Sequence, residues 1–343
     1  MANTLVRIGL IGYGGIGGSH LRLWKRTEGA QVTAVCDVIA ERAEMGAAEV
    51  EAAAFTDLKE LLKSGLCDAV DICTPSGLHA TLGVLAAEHG LHVLSEKPLD
   101  LNVEYVDRLI RACDEHQVKL ACIFQRRASR GARIVREAVV NGELGKIFSC
   151  SAYVKWYRKQ SYYDADDWRG TWRFDGGVLG NQAIHGIDHL CWLCGRVVRV
   201  EYAHLETLDH QIEAEDNAIA VLRFENGASG VLEATTCCQG DMATRLEIYG
   251  ANGSAAFDDS KVVAYTVNGE SRMSSLEDAG EMIGGRSDPL AISLSGHAYQ
   301  LQDFIRAIQN DEKPLVDGRD ARMAVEALDL IYRKAFPNVK VGI

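Results

Sequence analysis

The chain of 343 residues lacks three features that would each assign it to a particular class of protein. No stretch approaches the ~18–20 uninterrupted apolar residues that a membrane-spanning helix needs. The formal net charge of −12 argues against a nucleic acid or an anionic membrane surface as a partner. Residues 1–8 have neither a basic start nor a long apolar core, so we expect no signal peptide and a cytoplasmic protein.

The cysteines show no pattern typical of a metalloprotein or a disulfide-rich protein. Two of the ten, Cys191 and Cys194, have C-x-x-C spacing, and Cys237 and Cys238 are adjacent. No second C-x-x-C and no patterned pair of histidines completes a tetrahedral zinc site. Because the cysteines are scattered through a large chain without an expected secretion signal, we expect reduced core thiols and no metal site.

Length and composition indicate two globular domains. The 343 residues exceed the roughly 100–200 residues of one ordinary domain. A content of 47% hydrophobic and 24% charged residues is typical of soluble globular proteins. We expect a first domain over residues 1–124 and a second over residues 125–343. An alternative is that the C-terminal helix packs back on the first domain.

A glycine-rich turn follows the first apolar strand pattern, Val6 to Ile11. It has the form G-x-G-x-x-G and consists of Gly12, Tyr13, Gly14, Gly15, Ile16 and Gly17. In such a turn the first glycine permits a tight bend, and the second lets the backbone approach a pyrophosphate. The third lets the following helix pack closely on the strand. Because a strand pattern precedes the turn and a helical pattern follows it, we favour a dinucleotide site over a purely structural turn.

The position of Asp37 favours NAD over NADP. It ends a second strand pattern about 20 residues beyond the turn, the spacing expected for the acid of a dinucleotide-binding fold. A carboxylate there accepts hydrogen bonds from the adenine-ribose diol and repels a 2′-phosphate. A solvent-exposed loop acid is the alternative interpretation.

Strand and helix patterns alternate up to residue 124 and predict an α/β fold, a Rossmann domain with a doubly wound parallel sheet. Later strand patterns cover residues 69–73, 91–95 and 118–124, and helical patterns cover 57–63, 79–89 and 102–116. Ligands of such sheets gather at the carboxyl ends of the strands. We therefore expect one binding rim formed by Gly12, Asp37, Thr74, Pro75, Glu96, Lys97 and Gln125.

Residues 125–343 predict an α+β domain with an open, mostly antiparallel sheet. A helical pattern at 129–141 is followed by a strand pattern at 147–157. Residues 156–173 are rich in aromatics and arginines, which suits a substrate-facing loop. Residues 268–289 are polar and predict a mobile insertion or loop. The remaining patterns are a helix over 177–195, strands over 197–205, 217–224, 228–236, 244–249, 254–257 and 262–267, and helices over 299–309 and 319–336.

Two stretches carry residues suited to proton transfer. Lys97 stands between a strand pattern and Pro98. A glycine-rich turn leads into a helical pattern with Asn181, His185 and Asp188 at positions i, i+4 and i+7, which share one helix face. An ammonium and an imidazole are suited to moving a proton on or off an alcohol.

Several motifs together resemble the glucose–fructose oxidoreductase / inositol dehydrogenase (Gfo/Idh/MocA) family over essentially the full chain. The Glu-Lys-Pro block and the His-x-x-Asp helix, in this order and separation, are highly specific in combination. The motifs are the turn at 12–17, Cys-Thr-Pro-Ser-Gly-Leu-His at 73–79, the segment 92–98 ending in Glu-Lys-Pro, the helix at 176–188, residues 216–227 and Pro-Leu-Val-Asp-Gly at 314–318.

The resemblance implies an NAD(P)-dependent dehydrogenase or reductase of sugars, sugar acids or cyclitols. Members often associate as dimers or tetramers through the sheet of the second domain, and we expect a homodimer or homotetramer here too. The resemblance also implies that Lys97 contacts the nicotinamide ribose and the reacting hydroxyl, that the bond before Pro98 is cis, and that His185 donates or accepts the proton. Two alternatives stay open: an NAD-dependent glycosidase acting by transient oxidation, and a non-catalytic NAD-binding regulator.

The chain departs from many family members at Asn181, where they have an aspartate four residues before the histidine. An aspartate orients the imidazole and stabilises its positive charge, whereas an asparagine can only orient it. The Asn-Gln-x-x-His variant occurs within the family, so we interpret it as the mark of a subclass. The division of labour between Lys97 and His185 stays open.

The candidate residues form three sets. The catalytic set is Lys97, His185 and Asn181. Cofactor contacts are expected from Gly12, Tyr13, Gly14, Gly15, Ile16, Gly17, Asp37, Cys73, Thr74, Pro75, His79, Glu96, Lys97, Gln125, Trp168 and Arg169. Substrate contacts are expected from Lys97, Arg158, Tyr163, Arg169, His185, Asp188 and His189. The alternatives are a structural role for His189 and a surface or ion-pair role for Arg158 and Arg169.

Overall fold

A computed structural model describes residues 5–240, 242–276 and 294–337 of the chain. These residues form two compact units. The first contains the described residues of Met1–Gln125 and Leu294–Arg322, and the second contains those of Arg126–Ser293 and Met323–Ile343. The division into domains after residue 124 stays a prediction, because packing alone does not show which segments fold independently.

The regular elements of the described residues are as follows. The strands are β1 (Val6–Ile11), β2 (Ala30–Cys36), β3 (Ala53–Phe55), β4 (Ala69–Ile72), β5 (His92–Ser95), β6 (Leu120–Cys122), β7 (Ile147–Lys155), β8 (Val197–Glu206), β9 (Asn217–Phe224), β10 (Ser229–Thr235), β11 (Arg245–Gly250), β12 (Gly253–Asp258), β13 (Lys261–Val267) and β14 (Glu270–Ser271). The α-helices are α1 (Gly15–Trp24), α2 (Ala40–Ala48), α3 (Leu58–Lys63), α4 (His79–Glu88), α5 (Val103–Glu115), α6 (Arg130–Val140), α7 (Gln160–Tyr163), α8 (Ile184–Cys194), α9 (Ser295–Gln309) and α10 (Gly318–Ala335).

The first unit is built on one parallel sheet. Its strands follow the order β3-β2-β1-β4-β5-β6, so the chain leaves β1 towards one edge and then returns to build towards the other. This arrangement is that of a doubly wound sheet with helical connections. The predicted Rossmann architecture is therefore confirmed.

An apolar cluster explains why distant segments belong to this unit. Ile8 and Leu10 of β1 are fully buried together with Leu21 and Trp24 of α1 and Phe304 of α9. Burying an apolar side chain of this size contributes roughly 1.5–3 kcal/mol. Helix α9 therefore packs with the Rossmann sheet although it follows the second sheet in the sequence.

The second unit is built on an eight-stranded sheet with the order β14-β13-β12-β11-β7-β10-β9-β8. Its neighbouring strands are antiparallel except for β7 and β10, which are parallel. Because β8, β9 and β10 alternate in direction, β8 also runs parallel to β7, and α8 lies on the connection between these two strands. The predicted open, mostly antiparallel sheet is confirmed, with this pair as the parallel exception.

Several short elements differ from the predictions. Strand β3 and helix α2 were not predicted, because their alanine-rich sequences carry little periodic signal. Helix α9 begins at Ser295, four residues before the predicted start. The predicted loop at 268–289 contains β14 and a short 3₁₀ turn, Met273–Leu276, and its residues 277–289 lie outside the described residues.

The predicted helix at 177–195 consists of two parts. Val178–Gln182 forms a π-helical turn, in which the Ala183 amide donates to the Val178 carbonyl, and α8 begins only at Ile184. The expectation that Asn181 belongs to the same α-helix as His185 is therefore wrong. A π-turn holds five residues per hydrogen-bonded loop rather than four, so α-helical spacing does not extend back to Asn181.

Two expectations from composition can be compared with the structure. Among the described residues, no helix combines the length and the apolar character that crossing a bilayer requires. All ten cysteines lie in the described part of the chain as free thiols, and eight of them are buried, as expected for core residues.

A buried acid supports the turn that precedes α8. The ideal Cβ of a residue at Gly177 would lie 2.2 Å from the Glu215 carbonyl oxygen and 2.3 Å from its carboxyl group, so only glycine fits there. Glu215 Oε1 accepts hydrogen bonds from the Leu179 amide (3.0 Å) and the Tyr332 hydroxyl (3.1 Å). Burial raises the pKa of Glu215 to about 7.

This pKa makes the stability of the fold depend on pH. The folded state binds the Glu215 proton more tightly than the unfolded state, whose pKa is near the ordinary 4.5. The stabilisation is complete below the unfolded pKa and is lost as the pH rises through 7. We expect the unfolding free energy of wild type, relative to Glu215→Gln, to fall by about 2.5 kcal/mol between pH 5 and pH 8.

Urea unfolding of both proteins at the two pH values measures this difference. Glu137→Gln, at an exposed position on α6, is the matched control and should track wild type. Parallel pH profiles for wild type and Glu215→Gln would contradict the prediction.

Candidate functional site

The glycine turn of the first unit has the close approaches that the motif predicts. Gly12 has φ +91°, a conformation that favours glycine. A Cβ on Gly17 would lie 2.1 Å from the Gly12 carbonyl oxygen, so glycine is required for α1 to pack this close to the end of β1. A Cβ on Gly14 would meet no protein atom within 4 Å, which leaves the backbone open to a ligand. Gly15 and Ile16 begin α1 at this opening.

Asp37 lies directly behind the turn. Its Oδ2 accepts a hydrogen bond from the Tyr13 amide (2.8 Å) and its Oδ1 one from the Ile39 amide (2.9 Å). The carboxylate is thus fixed at the end of β2, and its remaining lone pairs can accept ribose hydroxyls. The Tyr13 hydroxyl bonds to Glu49, and burial raises the pKa of Tyr13 to about 12.

The carboxyl ends of the next strands carry polar atoms that suit a ligand. Thr74 Oγ1 and Gln125 Oε1 are buried and have no hydrogen-bond partner among the described residues. A buried polar group without a partner costs about 1–3 kcal/mol, which a bound polar molecule would remove. Pro75 lies beside Thr74 and is partly exposed. The open glycine, the fixed acid and these two atoms fit a dinucleotide.

His79 ties two of these segments together. Its Nδ1 lies 2.7 Å from the Pro98 carbonyl oxygen, and its Nε2 lies 2.8 Å from the Thr74 carbonyl oxygen. The ring is buried, and this burial lowers the pKa of His79. Both ring nitrogens are occupied by the backbone, so any cofactor contact would be made by the ring face or through the segments it holds.

Lys97 follows β5 and is partly exposed, and the Lys97–Pro98 peptide bond is cis, as the family resemblance implied. The Lys97 amide donates to Glu96 Oε2 at 3.1 Å. The Glu96 carboxylate points into the core, where Oε1 accepts a hydrogen bond from His20 Nε2 at 3.0 Å. The buried Cys73 thiol lies in the same region, 3.5 Å from His20 Nδ1. Glu96 and Cys73 were both predicted to contact the cofactor, and their contact with NAD stays a prediction.

In the second unit, His185 is buried near the start of α8, and Asn181 lies in the π-turn. The Asn181 amide nitrogen donates to Asp175 Oδ1 at 2.5 Å and to the Tyr162 hydroxyl at 3.3 Å. Asp175 is almost fully buried and also accepts from the Gly170 amide at 2.7 Å. A carboxylate therefore fixes the orientation of the asparagine.

Tyr162 is the centre of an aromatic and cationic cluster. Arg169 lies over the rings of Tyr162 and Trp168, 4.4 Å from each centroid, and donates to the Tyr162 hydroxyl at 2.8 Å. The Arg158 guanidinium lies over the rings of Trp156 and Tyr162, 5.3 and 5.4 Å from their centroids. Arg158 also donates to Gln182 Oε1 at 3.1 Å. The structure thus brings Arg158, Trp168, Arg169 and Asn181 together.

Three predicted substrate residues lie in the core. The Tyr163 hydroxyl bonds to Thr236 Oγ1 at 2.9 Å, and Asp188 forms a buried ion pair with Arg127. His189 is fully buried against aromatic rings, and this burial lowers its pKa to about 3. Substrate contact by these residues stays a prediction, and their burial favours structural roles.

Sequence reasoning missed Tyr162 and Asp175. Tyr162 and Tyr163 are adjacent in a short helix, so composition does not show which of them faces the arginines. The contact of Asp175 with Asn181 depends on the π-turn, which leaves no periodic signal.

Comparison with known proteins bears on these two units directly. The profile described as "Oxidoreductase family, NAD-binding Rossmann fold" matches residues 6–124. The profile described as "GFO/IDH/MocA C-terminal domain" matches residues 132–256.

The chain belongs to the GFO/IDH/MocA oxidoreductase family. The resemblance inferred from the motifs is thereby confirmed, as are an NAD-dependent oxidoreductase and NAD as its cofactor.

Relatives within the GFO/IDH/MocA family include two inositol dehydrogenases. The myo-inositol 2-dehydrogenase of Thermotoga maritima is 30% identical over 327 residues, or 93% of each chain. The scyllo-inositol 2-dehydrogenase (NAD(+)) of Bacillus subtilis is 25% identical over 94% of this chain and 91% of its own. Among solved structures, the WlbA dehydrogenase from Bordetella pertussis in complex with NADH and UDP-GlcNAcA has a TM-score of 0.85 and 31% identity, with 98% of each chain covered.

Two glycines of the turn should respond differently to substitution. Gly17→Ala should destabilise the protein by about 1–3 kcal/mol, because the new methyl clashes with the Gly12 carbonyl. Gly14→Ala should leave the unfolding free energy within about 0.5 kcal/mol of wild type, since its methyl meets no protein atom.

The same Gly14→Ala methyl should weaken NADH binding at least tenfold, because it would occupy the side from which the pyrophosphate approaches. Fluorescence titration measures the NADH affinity of Gly14→Ala, and thermal unfolding measures the stability of both Gly14→Ala and Gly17→Ala. Wild-type NADH affinity in Gly14→Ala would place the cofactor elsewhere.

Proposed function

We propose that this protein transfers a hydride between NAD and a secondary hydroxyl or ketone of a sugar, sugar acid or cyclitol. The observation that carries the proposal is the first unit's ligand rim. The open glycine turn, Asp37 and the unpartnered atoms of Thr74 and Gln125 lie at the strand ends of the same sheet as Lys97. NAD supplies the hydride acceptor or donor.

The chain's own residues would bind, orient and move the proton. In the oxidative direction, His185 takes the proton of the substrate hydroxyl, and the Lys97 ammonium stabilises the negative charge that develops on its oxygen. Asn181 orients the imidazole as a positioning residue. Its contact with Asp175 supports this role, because the asparagine itself is held by a buried carboxylate.

The names of relatives and the second unit's cluster support the substrate class. Two relatives are named for inositols, and the WlbA dehydrogenase was solved with a nucleotide-linked sugar acid. We propose that Arg158 and Arg169 contact hydroxyl or carboxylate oxygens of the substrate, with the guanidinium planes fixed by the rings of Tyr162 and Trp168. We propose contacts of Trp168 and Arg169 with the nicotinamide as well.

A screen of inositols, sugars and uronates with NAD and NADP, read at the absorbance of the reduced cofactor, tests the reaction. A product from a glycoside without net NADH would favour the glycosidase alternative. NADH binding without turnover on any compound would favour the regulator.

Removing either proton-handling group should lower activity strongly. We expect Lys97→Ala and His185→Ala each to reduce kcat/KM by about 10²–10⁴-fold, the usual contribution of a positioned acid or base. NADH affinity should change less, since neither group is expected to hold the phosphates. Steady-state kinetics on the best compound of the screen measures the effect.

Lys63→Ala and His116→Ala, at exposed positions in the first unit, are the matched controls and should retain wild-type kinetics. If both Lys97→Ala and His185→Ala keep kcat/KM within tenfold of wild type, the assignment of these residues is wrong.

We further propose that the protein is a homodimer or homotetramer associated through the second unit's sheet. One face of this sheet carries the cross-strand partners Val221 and Val231, and Val231 is 39% exposed in the single chain. Tyr249 on β11 has its side chain exposed as well. The cytoplasmic location expected from the sequence stays a prediction.

Val231→Glu should dissociate such an assembly, because it would bury a carboxylate at the interface. Light scattering should then give the single-chain mass of 37.4 kDa. Val140→Glu, at an exposed position on α6, should leave the wild-type mass unchanged. An unchanged assembly in Val231→Glu would place the interface elsewhere.

A further inference from the structure

The residue before Lys97 is held in place by two imidazoles. Glu96 is buried, and its Oε2 accepts the hydrogen bond of the Lys97 amide at 3.1 Å. Its Oε1 lies 3.0 Å from His20 Nε2 and 3.5 Å from His297 Nε2. The carboxylate that fixes the Lys97 backbone is therefore fixed in turn from two helices, α1 and α9.

His20 lies between two carboxylates and is fully buried. Its Nδ1 is 2.8 Å from Asp71 Oδ2, and its Nε2 faces Glu96. Since both nitrogens face carboxylate oxygens, both donate, and the ring is an imidazolium. The Trp24 indole also donates to Asp71 Oδ2 at 2.7 Å, which fixes the far end of the chain of hydrogen bonds.

The charges agree with this geometry. Burial alone would lower the pKa of His20, but the interactions with Asp71 and Cys73 together outweigh it and raise this pKa well above its usual value. Burial would raise the pKa of Glu96, but hydrogen bonds from His20 and His297 hold it well below its usual value. The pair is therefore ionised at neutral pH.

We propose that His20 and Glu96 are positioning residues for Lys97. Their buried imidazolium–carboxylate pair holds the Lys97 backbone and so sets where its ammonium lies. His20 belongs to the helix that begins at the glycine turn, so this pair connects the cofactor-binding segment with the lysine. The proposal rests on the proposed role of Lys97 in the reaction.

A rescue experiment tests the pair. His20→Gln removes the cation and leaves the buried Glu96 carboxylate without it, which is more harmful than replacing both charges by neutral groups. We expect His20→Gln to lower kcat at least 30-fold while the NADH dissociation constant stays within about threefold of wild type. Adding Glu96→Gln should recover at least tenfold of the lost kcat, because an amide oxygen can still accept the Lys97 hydrogen bond.

A merely structural role gives a different result. In that case NADH affinity and thermal stability would fall together with kcat, and the double variant would be worse than either single variant. That outcome, or a kcat of His20→Gln within threefold of wild type, would overturn the proposal. His89→Gln, at an exposed position at the end of α4, is the matched control.

A second measurement does not depend on turnover. Competitive acetylation followed by peptide mass spectrometry reports the reactivity of the partly exposed Lys97 amine relative to Lys63. We expect His20→Gln to change the Lys97 rate at least threefold and the double variant to return it towards wild type. An unchanged rate would contradict the proposal.

Lys97→Ala, run in parallel, separates the two hypotheses. Its retention of activity would refute the proposed role of Lys97, whereas the acetylation rates would still show whether His20 sets the position of the lysine.

Discussion

The first unit depends on the contact between Gly17 and the carbonyl group of Gly12. This close approach sets the distance between α1 and the end of β1. It leaves the backbone at Gly14 open to a ligand, and it carries His20 into the core beside Asp71 and Glu96. A larger residue at position 17 would move both features together, because Gly14 is the N-cap of α1 and His20 lies within the same helix. One steric constraint therefore fixes the binding turn and the buried charges behind Lys97.

The parts of the fold that the sequence predicted are those with local signals. The glycine turn, the buried strands and Asp37 each follow from neighbouring residues, and the structure has them where expected. The environment of Glu96 could not be predicted in this way. Its position at a strand end predicts a rim residue, yet the carboxylate turns inwards, where His20 of α1 and His297, from a helix that follows the second sheet, provide partners. Long-range pairing of this kind leaves no periodic trace.

In the second unit, too, local sequence patterns predicted where a feature lies but not how its side chains are oriented. Residues 156–173 were predicted to form a substrate-facing loop from their arginines and aromatic residues, and Arg158 and Arg169 do stack on Tyr162. The neighbouring Tyr163 was named instead of Tyr162, because a short helix gives no periodicity from which to choose a side. Asn181 was placed in an α-helix, because a π-turn differs from an α-turn only in its hydrogen bonding. These errors concern orientation rather than location.

The parallel pair β7 and β10 has a consequence for how such a protein can diversify. Because β8 also runs parallel to β7, the connection between them must return to the end of the sheet at which β7 began. Helix α8 lies in this connection and packs on the sheet, with Gly186 against Val154 of β7. The position of the helix that carries His185 is thus set by the parallel strands, whereas residues 156–173 belong to the segment that connects β7 to this helix. Insertions or substitutions in residues 156–173 can therefore alter this segment while the position of His185 on α8 is kept.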